Sequence, residues 1–191
     1  KDWEVVKANE LCLKVTDGTH DSPKRVDKGY NLVTSKNLKN GELDFSTCYQ
    51  ISEDDYIDVN KRSYVEQYDV LFGMIGTIGS PVMITQSHVD FAVKNVGIFK
   101  SNGDKNLGLW LCHFFNSDIA KNYIERNKNS STQSFVALGF LRAFPIINPP
   151  SEERNKIAAI LSTVDEQISA TDKIIEKSKE LKKGLMQKLF S

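Results

Sequence analysis

The feature that most constrains this chain is a stretch from Ser151 to Phe190 with no proline and one glycine, Gly184. Its apolar residues recur at steps that are mostly three or four, which predicts one stripe along a continuous helix. At ~1.5 Å per residue this helix is roughly 60 Å long, more than a compact domain can cover. The stripe consists of Ile157, Ile160, Leu161, Val164, Ile168, Ile174, Ile175, Leu181, Leu185 and Leu189.

An apolar stripe of this length needs a partner helix, and the sequence offers no second helix like it. We therefore predict that two chains pair as a homodimer. The alternative is that the helix folds back on its own globule, and Thr171 and Ser178 are polar gaps in the stripe. The residues predicted to form the dimer contact are Ile157, Leu161, Val164, Ile168, Ile175, Leu181, Leu185 and Leu189.

The rest of the chain has room for one globular domain, giving a division into residues 1–148 and 149–191. The patterns before Pro149 predict a mixed α and β globule, so the expected fold class is α+β. The expected elements are one short element over 1–16, strands over 30–34, 70–75, 82–84, 91–93 and 96–99, a hairpin at Asn40-Gly41, a solvated acidic segment over 52–58, one helix over 107–123 and a return to the sheet over 135–147.

Charge and cysteine content exclude several classes of protein. The 25 basic and 25 acidic residues give zero formal net charge, which argues against nonspecific coating of nucleic acid. DNA binding would then need a local patch or a basic partner. Cys12, Cys48 and Cys112 are an odd number and widely spaced, which favours a reduced cytoplasmic protein. With no run of about 18 apolar residues, we expect no membrane partner.

Two motifs invite an enzymatic interpretation and have a simpler one. Asn148-Pro149-Pro150-Ser151 is similar to the Asn-Pro-Pro-aromatic loop of amino-methyltransferases, but serine stands where an aromatic would stack on a base. We interpret it as a rigid helix entry capped by Ser151. The segment 73–79 has three glycines but lacks the Gly-Lys-Ser/Thr ending of a phosphate loop. Glycine kinks between strands are the favoured interpretation.

Polar residues in two loops are candidates for a site. Asp17, His20 and Asp21 could form an acid–base or metal cluster, but no nearby ligand motif completes it, so we expect neither a catalytic nor a metal site. Loops often carry recognition, which makes contact with DNA an alternative role, although each side chain also fits an ordinary solvated surface. The DNA-binding candidates are Thr19, His20, Lys24, Arg25, Lys36, Lys94, Ser131, Thr132 and Gln133.

An ordered set of motifs over nearly the whole chain resembles the DNA specificity subunit of type I restriction-modification systems. The Pro-Pro helix entry and the Lys-Lys-Gly-Leu-Met-Gln ending are its most specific parts. The motifs are Trp3-Glu4-Val5-Val6, Asp17-Gly18-Thr19-His20 with Pro23, Gly41-Glu42-Leu43, Tyr68-Asp69-Val70-Leu71-Phe72, Gly76-Thr77-Ile78-Gly79, Ser131-Thr132-Gln133, Pro149-Pro150-Ser151-Glu152-Glu153, Ile157-Ala158-Ala159-Ile160-Leu161 and Leu181-Lys182-Lys183-Gly184-Leu185-Met186-Gln187.

The resemblance implies a noncatalytic half-subunit with one target recognition domain and one long helix. It implies that the globule reads half of a bipartite site in double-stranded DNA and that the helices dock methylation (M) subunits. Those partners would bind S-adenosylmethionine, so we expect no cofactor in this chain, and restriction (R) subunits would join through them. We hypothesise an antiparallel coiled coil that holds two globules over an interrupted palindrome. The alternatives are a self-standing DNA-modifying enzyme and an assembly scaffold that does not read DNA.

Overall fold

The computed structural model describes residues 3–128 and 134–190, and it contains a sheet-rich globule followed by one long helix. This confirms the α+β class. The strands are β1 (Glu4–Lys7), β2 (Lys14–Asp17), β3 (Tyr30–Val33), β4 (Leu38–Lys39), β5 (Glu42–Leu43), β6 (Tyr49–Ile51), β7 (Val70–Gly73), β8 (Gly79–Met83), β9 (Phe91–Val93), β10 (Val96–Lys100) and β11 (Pro145–Asn148). The helices are α1 (Ala8–Leu11), α2 (Glu53–Ser63), α3 (Lys105–Asn116), α4 (Asp118–Asn127), α5 (Leu138–Arg142) and α6 (Ser151–Leu189).

The central sheet has four strands in the order β2-β10-β7-β8, all antiparallel to their neighbours. Every residue of β7 and β10 is buried, as their continuous apolar pattern predicts. Helices α3 and α4 cover one face. The aromatic side chains of Phe72, Phe99 and Phe115 form its core, with ring centroids 4.8 to 5.9 Å apart.

A second sheet has the strand order β6-β3-β9, and in it β3 and β9 form a parallel pair. Helix α2 packs beside it, and the Tyr30 and Tyr56 rings stack with centroids 4.0 Å apart. The hairpin predicted at Asn40-Gly41 is confirmed as β4-β5. Both turn residues have positive φ, 52° and 79°, the conformation that a two-residue hairpin turn requires.

One buried ion pair ties the start of β7 to the end of β10. Lys100 Nζ lies 2.6 Å from Asp69 Oδ2, and Asp69 Oδ1 accepts a hydrogen bond from the Ser101 amide at 3.1 Å. Burial raises the pKa of Asp69, while the lysine and the amide hydrogen bonds oppose that rise. The pair joins two strands of the central sheet. Replacing Lys100 alone would leave the buried Asp69 carboxylate without its cation, whereas Lys100 also lies 2.6 Å from Glu66 Oε2.

The two ends of the globule meet in a separate antiparallel pair of strands, β1 with β11. Trp3 Nε1 donates a hydrogen bond to Glu153 Oε2 at 3.0 Å, and Trp110 Nε1 donates to the Ile147 carbonyl at 3.0 Å. The first bond ties the start of the chain before β1 to the first turn of α6, and the second ties α3 to β11. Pro150 occupies the N-cap position and offers no side-chain acceptor, so the prediction that Ser151 caps the helix is wrong.

Helix α6 is covered by the globule only at its beginning. Ala158 is completely buried, Ile157 packs against the core cluster, and Ser162 Oγ lies 3.0 Å from His113 Nε2 on α3. Every residue from 163 to 190 is exposed, including the apolar stripe. Beyond these first turns, the stripe therefore does not fold back on its own globule. The division at 148/149 stays an interpretation, because the first turns of α6 belong to the core of the globule.

Four predicted elements differ from the structure. The helix expected over 107–123 breaks at Ser117, whose hydroxyl accepts the Ala120 amide and caps α4, and the break leaves Ile119 62% exposed. The acidic segment 52–58 begins helix α2, because Ser52 caps it and the acids lie at the positive end of its dipole. The single element over 1–16 is β1, α1 and β2, and the segment 135–147 contains α5 before β11.

Among the described helices, none has the length and apolar content needed to cross a membrane. Cys12, Cys48 and Cys112 are free thiols. Burial raises the pKa of Cys12 and of Cys112 to about 12, so both thiols stay protonated near neutral pH.

Candidate nucleic-acid interface

The loop that follows β2 lies directly on the turn between β9 and β10. The Gly18 amide donates to the Val96 carbonyl at 2.9 Å, and the Thr19 amide donates to the Val93 carbonyl at 3.0 Å. A Cβ atom on Gly18 would lie 2.1 Å from the Val93 carbonyl oxygen, so only glycine allows this approach. The Asp-Gly-Thr-His sequence therefore fixes the loop against the sheet end.

The β9–β10 turn is held in return by Asn95. Its φ of 51° lies in the left-handed region, which asparagine tolerates better than most residues. The Asn95 amide donates to the Thr19 carbonyl at 3.1 Å, and the Asn95 carbonyl accepts from Ser35 Oγ at 3.1 Å. Three segments that are far apart in sequence are thereby joined at one end of the globule.

A buried carboxylate organises the polar side chains at this point. Asp17 is 3% exposed, and its Oδ2 lies 2.9 Å from His20 Nε2. The other ring nitrogen of His20 lies 2.7 Å from Asn95 Oδ1. Arg62, at the end of α2, places Nη2 3.2 Å from the Gly18 carbonyl and 3.9 Å from Asp17 Oδ1. Because a buried carboxylate needs partners, Asp17 orients both His20 and Arg62.

Two cavities lie side by side here and share Ile75 and Asn95 in their walls. The Lys36 cavity, of about 320 Å³, is lined by Leu32, Thr34, Ser35, Lys36, Asn37, Thr47, Tyr49, Ile75, Lys94 and Asn95. The Arg62 cavity, of about 430 Å³, combines polar groups with an apolar wall and is lined by Asp17, His20, Arg62, Met74, Ile75, Asn95, Phe135, Val136, Ala137 and Leu138. Together they form a continuous recessed surface with cationic side chains.

The structure brings three of the predicted DNA-binding side chains to this surface. Lys36 and Lys94 line the Lys36 cavity, and His20, whose side chain is 62% exposed, lines the Arg62 cavity. Thr19 is nearly buried and its hydroxyl accepts the Asp21 amide at 3.1 Å, so it supports the loop from inside. Lys94 Nζ donates a hydrogen bond to Ser22 Oγ.

Lys24 and Arg25 are exposed farther along the same loop and line neither cavity. Ser131, Thr132 and Gln133 lie outside the described residues. The chain that follows them reaches the Arg62 cavity, because the Gly76 amide donates to the Ser134 carbonyl at 3.0 Å and Phe135 forms a bridge with Ile75.

Two residues of this surface, Arg62 and Asn95, were missed by the sequence analysis. Arg62 follows the segment that was interpreted as solvated acidic chain, and its position depends on the helix that was not predicted. Asn95 lies between the two strands predicted over 91–93 and 96–99, at a position to which the sequence analysis gave no role. A turn-forming Lys-Asn pair between two short apolar strands is a signal that could have identified Asn95.

The enzymatic interpretations gain no support from the geometry. Asp17 is in contact with His20 Nε2, but His20 Nδ1 lies against the side-chain amide of Asn95. In a catalytic pair, a nucleophile would stand in that position. Residues 3–128 and 134–190 contain no group of three or more His, Cys, Asp or Glu side chains placed to hold a metal ion.

The two sequence motifs also have structural roles. Asn148 is the last residue of β11, where it pairs with Glu4, and its Oδ1 accepts from Arg154 Nη1 at 3.0 Å. The Asn-Pro-Pro segment is therefore part of the helix entry. Gly73 and Gly79 face each other where β7 passes to β8 through an irregular register, which confirms the glycine kinks. A strand and not a helix follows the glycines.

The family model for the type I restriction modification DNA specificity domain matches residues 1–180. The chain belongs to this family. A curated relative in Methanocaldococcus jannaschii, named as the MjaX type I restriction enzyme specificity subunit, is 27% identical over 200 residues and is matched by the whole chain. The match covers 46% of that relative, so the chain spans less than half of its length.

Solved structures of the family share the fold. The type I restriction-modification S subunit from M. genitalium superposes with a TM-score of 0.61 at 14% identity, over 94% of this chain and 43% of that one. The HsdS subunit from Thermoanaerobacter tengcongensis gives 0.60 at 15% identity, over 88% and 38% of the two chains. These solved structures thus share the arrangement of a sheet-rich globule followed by a long helix.

Proposed function

We propose that this chain is a noncatalytic, DNA-reading component of a type I restriction-modification complex, and that its globule reads one half of a bipartite site. One observation carries the proposal: the two cavities gather the loop after β2, the β9–β10 turn, the end of α2 and residues 135–138 on one surface. Loops held on a rigid sheet are the usual location of recognition residues. Lys36 and Lys94 supply cationic contacts to phosphates, and the neighbouring polar side chains face base edges.

The zero net charge of the chain fits a protein that shares phosphate contacts with partners. In this proposal methylation subunits bind S-adenosylmethionine, dock on the long helices and supply the remaining contacts, and restriction subunits join through them. The three free thiols are consistent with function in the cytoplasm.

The exposed stripe of α6 supports pairing of two chains. About 27 residues beyond the docked turns, each rising ~1.5 Å, extend roughly 40 Å from the globule. Antiparallel pairing of two such helices would place identical globules at opposite ends of a spacer, over two half-sites related by a twofold axis. The site read by such a dimer is an interrupted palindrome.

Mapping methylated adenines in DNA exposed to the reconstituted complex tests the proposal. We expect a split, symmetric site. Replacing residues 20–25 together with 130–134 by unrelated loops should change the DNA sequence that is recognised, while sedimentation shows an unchanged dimer. Unaltered site choice after the exchange would refute this reading surface, and site choice that does not depend on the globule at all would identify a scaffold.

A further inference from the structure

We propose that Arg62 reads a guanine in the major groove of each half-site, a specificity role for a residue outside the predicted contact set. The inference rests on the proposed function of the globule as a DNA reader. It is carried by the orientation of the guanidinium at the rim of the Arg62 cavity, where its side chain remains 60% exposed.

The guanidinium group of Arg62 is fixed by contacts with the loop that follows β2. Its Nη2 donates to the Gly18 carbonyl at 3.2 Å, and Asp17 Oδ1 lies 3.9 Å away. Gly18 is itself fixed on the sheet, and Asp17 is buried at the end of β2. Within residues 3–128 and 134–190, the Nε and Nη1 groups of Arg62 have no hydrogen-bond partner. An arginine anchored through one nitrogen thus presents its remaining donors in a fixed direction.

Nη2 has a second N–H, and this N–H together with the parallel N–H of Nε or Nη1 forms a fork that suits the edge of guanine. The O6 and N7 atoms of guanine are adjacent acceptors in the major groove, and a bidentate arginine contact with them is the commonest specific contact in protein–DNA complexes. A preset guanidinium loses less side-chain entropy on forming such a contact than a free one.

The charge balance favours a base over a phosphate. The buried Asp17 carboxylate beside Arg62 weakens the pull of the guanidinium on an anionic phosphate, whereas guanine O6 and N7 are neutral acceptors. Lys36 is the contrasting case, because it lines the neighbouring cavity without a carboxylate partner among the described residues. We therefore assign phosphate contact to Lys36 and base reading to Arg62.

The chain provides a matched control next to Arg62. Lys61 is also cationic and lies one residue earlier on α2, but its Nζ binds Asp58 Oδ1 at 2.9 Å and it lines neither cavity. Lys61→Ala therefore removes the same charge from the same helix end without altering the cavity. Arg62→Lys keeps the charge and removes the planar fork, and Arg62→Ala removes both.

The experiment selects bound duplexes from a randomised pool with the complete complex, for the wild type and the three variants. For the wild type we expect roughly 5- to 150-fold preference for guanine at one position of each half-site. Arg62→Ala should bring that preference close to one and leave the other positions unchanged, Arg62→Lys should lose most of it, and Lys61→Ala should retain it. Thermal unfolding of each variant checks that the globule is intact, and Arg62→Lys provides the test if Arg62→Ala does not fold.

Two results would overturn the assignment. If Arg62→Ala weakens binding equally for all sequences and lowers the salt dependence by about one ion, Arg62 contacts a phosphate. If the guanine preference is unchanged in Arg62→Ala and Arg62→Lys, Arg62 does not contact this guanine, and the assignment is wrong. In both cases the wild type still selects a split site, so the proposed function stands; a wild type that selects no sequence refutes that function and this inference together.

Discussion

Substituting aspartate for Ile168 and Ile175 should dissociate the proposed dimer. The side chains are 54% and 45% exposed in the single chain, and both lie on the stripe seven residues apart. Complete burial of an isoleucine stabilises by ~1.5–3 kcal/mol, so covering these exposed fractions contributes about 1.5–3 kcal/mol per chain and ~3–6 kcal/mol per dimer. Buried carboxylates add a further penalty.

The expected effect is an increase of roughly 10²- to 10⁴-fold in the dimer dissociation constant. Sedimentation equilibrium over a range of concentrations measures it. Thr163→Asp with Ala170→Asp is the matched control, because these exposed residues have the same spacing and lie roughly 140° to 160° around the helix from Ile168. A wild type that is monomeric at high concentration, or a stripe variant that dissociates no more readily than the control, would refute the reasoning.

Three further predictions concern the globule. Lys36→Ala should weaken binding to all DNA sequences alike and lower the slope of log affinity against log salt by about one, measured by titration at several salt concentrations. Gly18→Ala would place a Cβ atom 2.1 Å from the Val93 carbonyl oxygen. It should destabilise the globule by about 1–3 kcal/mol in urea unfolding, whereas Gly139→Ala, which meets nothing within 4 Å, should not. Burial lowers the pKa of His113 below 6.5, so the unfolded chain binds this proton more tightly than the folded chain does. The free energy of unfolding should therefore decrease as the pH falls through and below about 6.5. His113→Asn should remove this dependence.

Each of these predictions has a contradicting result. A loss of affinity confined to one sequence would show that Lys36 reads a base. Equal stability of the two glycine variants would mean that the loop relaxes freely around Gly18. For His113, the comparison is the change in unfolding free energy between pH 7.5 and 5.5, and an equal change in the wild type and the variant would contradict it. Asp165, 3.6 Å from the ring, opposes the shift and limits its size.

Elements with a strong local signal were predictable from the sequence. The stripe of α6 and the Asn40-Gly41 turn are such cases, because the spacing of apolar residues and a turn dipeptide report local geometry directly. Helix α2 was missed because its apolar residues are few and its cap, Ser52, begins an acidic run that also fits a solvated loop. The break at Ser117 was missed because the apolar spacing continues across it.

The candidate site was predictable only in part for a different reason. His20, Lys36 and Lys94 were identified by residue type and loop position. Their convergence depends on the parallel pairing of β3 with β9 and on contacts across the sheet end, which join residues up to 78 positions apart. No local pattern reports such contacts. Arg62 shows this most clearly, because its role follows from the buried Asp17 and not from its own neighbours in sequence.

The pairing of β1 with β11 brings the first and last strands of the globule side by side, so the chain enters and leaves the globule at neighbouring points. Every segment that lines the two cavities falls between these strands, whereas the docking of α6 begins after them. A foreign insert would need to reproduce that ladder and the face of α3 that contacts α6, where His113 Nε2 lies 3.0 Å from Ser162 Oγ. Exchange of the interior could therefore give a complex a new target without rebuilding its assembly.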